Sequence, residues 1–163
     1  MATYNHVRGK VFVVGSNVYE HTSKQLKNAV NDATSIAAKF NELGYVVYTP
    51  QIDVSVYDAD AALSDFCSDL KDYDVAIFYF AGHGIEIKGK NYLCFKDTQF
   101  TGVEKTTIRT SLDLQDTIKQ LHETGCRMII TIVDACRDNP FAEDEGRGWG
   151  SINLLQSILL KEQ

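Results

Sequence analysis

Residues 74–84 read DVAIFYFAGHG and residues 127–136 read RMIITIVDAC, two stretches with little polar alternation. A strand is apolar throughout when both of its faces are covered, the situation inside a parallel sheet flanked by helices. The rest of the chain supplies matching pieces. GKVFVVGSN (9–17) reads as a first strand, YVVYTP (45–50) as a second that stops near Pro50, and the two quoted runs as the third and fourth. Between them, LKNAVNDATSIAAKFNELG (26–44) spaces Leu26, Val30, Ala33, Ala37 and Phe40 by three and four, with Gly44 as a C-cap. DADAALSDFCSDLKDY (58–73) turns Leu63, Phe66 and Leu70 inward. SLDLQDTIKQLHETG (111–125) does the same with Leu114, Ile118 and Leu121, and Ser111 is its candidate N-cap. IEIKGKNYLCF (85–95) predicts a hairpin around Lys88–Gly89–Lys90, and residues 97–111 predict loop. The expected fold class is α/β: a mostly parallel sheet in flavodoxin-like order, with helices on both faces and a small β-hairpin.

At 163 residues the chain suits one domain with a sizeable core, because a domain of this length buries roughly 70% of its unfolded surface. The net charge of −6 comes from sixteen basic residues scattered among twenty-two acidic ones. Nucleic acid and anionic membrane surfaces are therefore disfavoured as partners, since both need concentrated positive charge. No apolar run approaches the ~20 residues of a membrane span, and the opening MATYNHVRGK is too polar for a signal peptide. A cytoplasmic location is the expectation.

Ligands of an open parallel sheet bind beyond the carboxyl ends of its strands. That edge collects Asp32 after the first strand, His83 in a glycine-bracketed turn after the third, and Cys136 in the loop after the fourth. A thiol is a strong nucleophile at neutral pH only as the thiolate, so a reactive cysteine needs an imidazole or a positive neighbour. Cys136 lies beside Arg137, and His83 is 53 positions upstream of it, between Gly82 and Gly84. Cys67, Cys94 and Cys126 sit among apolar neighbours or at a strand start and read as structural; none of the four cysteines forms a C-x-x-C pair. His6 and His122 read as surface residues. His21, in the loop after the first strand, is the rival base. Asp32 also fits the ordinary role of a first-turn helix acid, and Asp134 that of a loop residue bonding its own backbone.

VFVVGSNVYEH with LKNAVNDA, IFYFAGHGIEIKGKNYL and TIVDACRDNPF together resemble the caspase-like cysteine peptidase clan, chiefly its paracaspase, metacaspase and orthocaspase branches. A strand ending in G-H-G, followed about fifty residues later by one ending in D-A-C-R, has the spacing known for caspases. The resemblance implies an endopeptidase in which Cys136 attacks the scissile carbonyl, His83 is general acid and base, and the backbone N–H groups of Gly84 and Cys136 form the oxyanion hole. Aspartate-cutting caspases have Gln where this chain has Asp134, and an arginine where it has Leu26. Acids matching Asp32 and Asp134 imply instead a pocket for a basic residue before the cut, Arg preferred over Lys.

On the same resemblance, residues 1–141 correspond to a large-subunit-like catalytic domain, and 142–163 to a linker or the start of a missing small-subunit-like segment. That segment is the expected partner, along with polypeptide substrates; pairing of two copies through an edge strand stays open. Arg147, in the acidic and glycine-rich stretch EGRGWG, suits self-cleavage. No cofactor or metal is expected, with calcium left open because metacaspases often need it; the acidic run Glu143–Glu145 reads as solvated loop. The alternative function is a catalytically silent interaction domain in a signalling or defence assembly. A nucleotide-binding module is disfavoured, because VGSNVYEH after the first strand is no phosphate-cradling glycine loop.

Overall fold

The computed structural model describes residues 7–137 and 154–160. The central sheet is built on β1 (Gly9–Gly15), which pairs in parallel with β2 (Val46–Val47) and β3 (Gln51–Ile52) on one side and with β4 (Val75–Ile87) on the other. Along its other edge β4 takes β7 (Met128–Arg137) in parallel, and β8 (Leu154–Leu160) runs antiparallel outside β7. The parallel strands thus follow the expected flavodoxin-like order, the second lying outside the first and the fourth outside the third. The far end of β4 folds back as a hairpin with β5 (Lys90–Cys94), to which β6 (Ser111–Asp113) is added. Lys88 (φ +52°) and Gly89 (φ +79°) form its tip, both left-handed as a tight hairpin turn requires.

Alternation along the strands divides the core in two. Val11, Val13, Ile77, Tyr79 and Ala81 meet α1 (Ala29–Glu42). Phe12, Val14, Phe78 and Phe80 face the opposite layer, built from α2 (Val56–Cys67) and α4 (Leu114–Glu123). α1 buries only Ala29, Ala33 and Ala37, and small side chains let it lie close to the sheet. At Gly15 the approach is closest: a Cβ there would stand 2.6 Å from the Ala33 methyl and 2.9 Å from the Ala29 carbonyl oxygen. The opposite layer is aromatic, with Phe12 centred 5.2 Å from Phe66 and 5.9 Å from Phe78. Each such ring contributes roughly 1.5–3 kcal/mol on burial.

The structure corrects several expectations. Residues 97–111 are not simply loop: they contain α3 (Glu104–Arg109) and the start of β6. Ser111 lies in β6 and its hydroxyl bonds the Thr107 carbonyl; the N-cap of α4 is Asp113, whose carboxylate accepts from the N–H groups of Gln115 and Asp116. Within 142–163, expected as a linker or the start of a missing segment, Leu154–Leu160 form β8 against β7. The glycine-bracketed turn does not exist either. β4 passes straight through Gly82–His83–Gly84, because β7 stays paired with it as far as Arg137. His83 and Cys136 are accordingly strand residues, not loop residues. Among the described residues, no helix is long and apolar enough to cross a membrane.

Candidate active site

His83 and Cys136 are direct register partners on neighbouring parallel strands. Such strands lie roughly 4.7–4.9 Å apart, and in-register residues occupy the same face. Counting by twos along β7 puts Ile130, Ile132 and Asp134 on the α1 side; along β4, Tyr79, Ala81 and His83 share it. Two residues before the central pair, Asp134 registers with Ala81. Gly84 stands at a junction, opposite Leu93 of β5 and Arg137 of β7.

His83 is only 6% exposed and is held at both ends by the loop that follows β1. Its backbone N–H donates to the hydroxyl of Tyr19 at 2.8 Å, and that hydroxyl donates in turn to the Ser16 carbonyl at 3.1 Å. Its Nε2 lies 2.8 Å from the carbonyl oxygen of Lys24. A carbonyl can only accept, so Nε2 carries the hydrogen, and in the neutral ring Nδ1 is the basic nitrogen. The rings of Tyr19 and His83 are 4.6 Å apart and tilted by 48°.

The loop is itself tightly fixed. Asp53, left-handed at φ +49°, accepts the N–H groups of Asn17 (2.7 Å) and Val18 (2.9 Å) on one carboxylate oxygen. The Gln25 amide accepts from the N–H of Tyr19 and donates to the carbonyls of Tyr19 and Thr22, all at 2.8 Å. Gly82 leaves room for this arrangement: a Cβ there would stand 2.8 Å from the Phe80 ring and 2.9 Å from the Tyr19 hydroxyl. Close approach, not a turn, is what the glycine before His83 provides.

The two acids meet around Tyr79. Asp32 sits half-buried in the first turn of α1, and Asp134 is exposed near the end of β7. The Tyr79 phenol, 5% exposed, is pushed up to about 12, first by burial and then by the negative charges of Asp134 and Asp32. Both charges therefore act on the Tyr79 phenol, four residues before His83 on β4.

The profile of the caspase domain family matches residues 8–154. This chain belongs to the caspase family. Among solved structures this caspase-family chain is similar to the Drosophila initiator caspase Dronc, at 16% identity and a TM-score of 0.63, over 78% of this chain and 48% of that one. It is also similar to protein GSU0716 from Geobacter sulfurreducens, at 20% identity and a TM-score of 0.60, over 79% of this chain and 50% of that one. At these identities the likeness is one of fold, and the chain spans about half the length of either neighbour. No curated protein matches.

Of the residues singled out in the sequence, His83, Gly84 and Cys136 are brought together by the pairing of β4 and β7, Asp134 lies two residues before Cys136 on β7, and Asp32 is in the first turn of α1, where its charge acts on Tyr79. His21 is exposed in the loop after β1, and the carbonyl bonded to the imidazole belongs to Lys24. Arg147 and the acidic run Glu143–Glu145 lie outside the described residues. Among the described residues, no three His, Cys, Asp or Glu are grouped to hold a metal ion. Cys94 and Cys126 are buried and Cys67 partly so; burial pushes the Cys67 thiol up to about 11 and raises that of Cys126, which suits inert thiols. Sequence reasoning missed Tyr19, Lys24 and Gln25. An aromatic residue in the polar stretch SNVYEHTSKQ was a signal for Tyr19, whereas Lys24 acts through its main chain and left none.

Proposed function

We propose that this chain carries the nucleophile and the base of a cysteine endopeptidase that cleaves after basic residues, Arg before Lys. The observation that supports this best is the register that sets His83 opposite Cys136. In the reaction, the Cys136 thiol gives its proton to Nδ1 of His83, and the sulfur adds to the carbonyl carbon of the scissile peptide. The Nε2–H stays on the Lys24 carbonyl, which orients the ring. The oxyanion is received by the backbone N–H groups of Gly84 and Cys136; one such donor is worth ~3–4 kcal/mol in the transition state. Collapse breaks the C–N bond, and the imidazolium protonates the departing amine. Water, giving a proton to His83, then hydrolyses the thioester and releases the thiol.

Asp32 and Asp134 take the basic side chain of the substrate. Carboxylates bind the planar guanidinium fork through paired hydrogen bonds and the ammonium group as a single charge, hence the preference for Arg. Because the chain spans about half the length of its structural neighbours, a further small-subunit-like segment of the same protein is the expected partner in building the substrate groove. Cleavage after Arg147 would separate the two parts. Mapping new N-termini after incubation tests this, with Cys136→Ala as the control: identical fragmentation in that variant defeats it. No cofactor enters the scheme, and paired assays with chelator and with added calcium test for a cation.

The deciding experiment compares peptides with Arg, Lys or Asp before the scissile bond, in the native protein and in Cys136→Ala. Turnover of Arg over Lys, no turnover of Asp, and loss of all activity in the variant are expected. The alternative reading is an interaction domain without catalysis. A folded protein whose Cys136 resists an Arg-directed cysteine-reactive probe would favour that reading.

A further inference from the structure

We propose that Tyr19, clamped by Gln25, is a positioning residue that fixes His83 against Cys136; this rests on the Cys–His reading above. β1 stops pairing with β4 at Gly15 and Ala81, two residues short of His83. Beyond that point the ladder partner on this side of β4 is a side chain: the Tyr19 hydroxyl receives the His83 N–H at 2.8 Å. Tyr19 is 1% exposed, and its ring lies against the imidazole, so it contacts both the backbone and the ring of the same residue.

The Gln25 amide joins the two holds on His83. It ties both the N–H and the carbonyl of Tyr19 and also binds the Thr22 carbonyl, which fixes the stretch ending in Lys24. Lys24 in turn presents the carbonyl that takes Nε2–H. One exposed amide thus sets the spacing between the hydroxyl under the His83 backbone and the carbonyl beyond its ring. Removing the hydroxyl leaves a buried N–H to find another partner, and the strand must shift to do so. A misplacement of about 1 Å can cost up to about 10²-fold in rate.

The test is the pH profile of Cys136 alkylation by iodoacetamide, read peptide by peptide by mass spectrometry, in the native protein, Tyr19→Phe and Gln25→Ala. Cys67, its thiol held near 11, is the internal slow reference. In the native protein Cys136 should react with a midpoint well below that of Cys67, through the thiolate–imidazolium pair. In Tyr19→Phe the midpoint should rise by about one pH unit, with about a tenfold slower reaction at pH 6. Gln25→Ala should move both in the same direction and by less. A purely structural role would lower the melting temperature and leave the midpoint in place. Native midpoint and rate in both folded variants overturn the proposal. If Tyr19→Phe does not fold, an unchanged Gln25→Ala profile does so alone. A native Cys136 that titrates no earlier than Cys67 refutes the Cys–His reading itself, whatever the variants do.

Discussion

Replacing Gly15 by alanine tests how closely α1, which carries Asp32, packs on the sheet. The new methyl would stand 2.6 Å from the Ala33 Cβ, 2.9 Å from the Ala29 carbonyl oxygen and 3.1 Å from the Val30 Cα. Two of the three are main-chain atoms, so no side chain can rotate away. Ordinary carbon contacts need about 3.5–4.0 Å, which leaves a displacement of about 1 Å for the helix to absorb. Overpacking of this kind costs about 1–3 kcal/mol. At about 2–4 °C per kcal/mol for a chain of this size, a central cost of about 2 kcal/mol lowers the melting temperature by about 4–8 °C. Because the displaced turn carries Asp32, KM for an Arg peptide should rise more than kcat falls. Ala33→Gly removes the closest contact. On its own it should cost about 1 kcal/mol as a glycine in a helix, yet the double variant should be more stable than the sum of the two changes by at least about 0.5 kcal/mol. Thermal melts by circular dichroism with peptide kinetics give both readouts. Native-like melting of Gly15→Ala, or strict additivity in the double variant, would refute the account of α1 packing.

Asp134→Ala should lower kcat/KM for Arg peptides by about 30-fold, the lower end of the ~2–5 kcal/mol cost of truncating one partner of a charge pair closed by the substrate; unchanged hydrolysis contradicts its role. Tyr79, raised to about 12 from an unfolded value of 10, keeps its proton longer in the folded state, so its contribution is complete below pH 10 and is lost as pH rises toward 12. Denaturant melts over that range should show a shallower decline in Tyr79→Phe than in the native protein, and equal slopes would count against the shift. Cys67, although partly exposed, should react with Ellman's reagent at pH 8 far more slowly than a small-molecule thiol, because burial holds it protonated; a rate matching that of the small thiol removes the reference used for Cys136.

The strands were legible because double-sided burial writes itself into sequence as uninterrupted apolar runs, and β1, β4 and β7 lie within a few residues of their expected places. Their ends were not. Gly82 and Gly84 suggested a turn because glycine permits one, but the requirement here is proximity to Tyr19 and Phe80, and the local sequence says nothing about which side chain will approach. α3 escaped notice because EKTTIR is short and rich in β-branched residues. Asp113, not Ser111, caps α4 because β6 draws Ser111 into the sheet, a tertiary event. At the site, sequence spacing brought His83 and Cys136 to a common edge, while their register depends on how β4 and β7 align over ten residue pairs. The Lys24 carbonyl is a group every residue owns, so no residue type could have announced it.

β4 serves two structures at once, flanked by β1 and β7 over its first part and turning back into β5 over its last. His83 lies where the two meet, roughly 16 Å along the strand from the hairpin tip at Lys88. β4 is one extended piece of thirteen residues, so Gly84–Ile87 continue the same strand from His83 toward the tip. A load applied at the hairpin would therefore reach His83 through unbroken strand backbone.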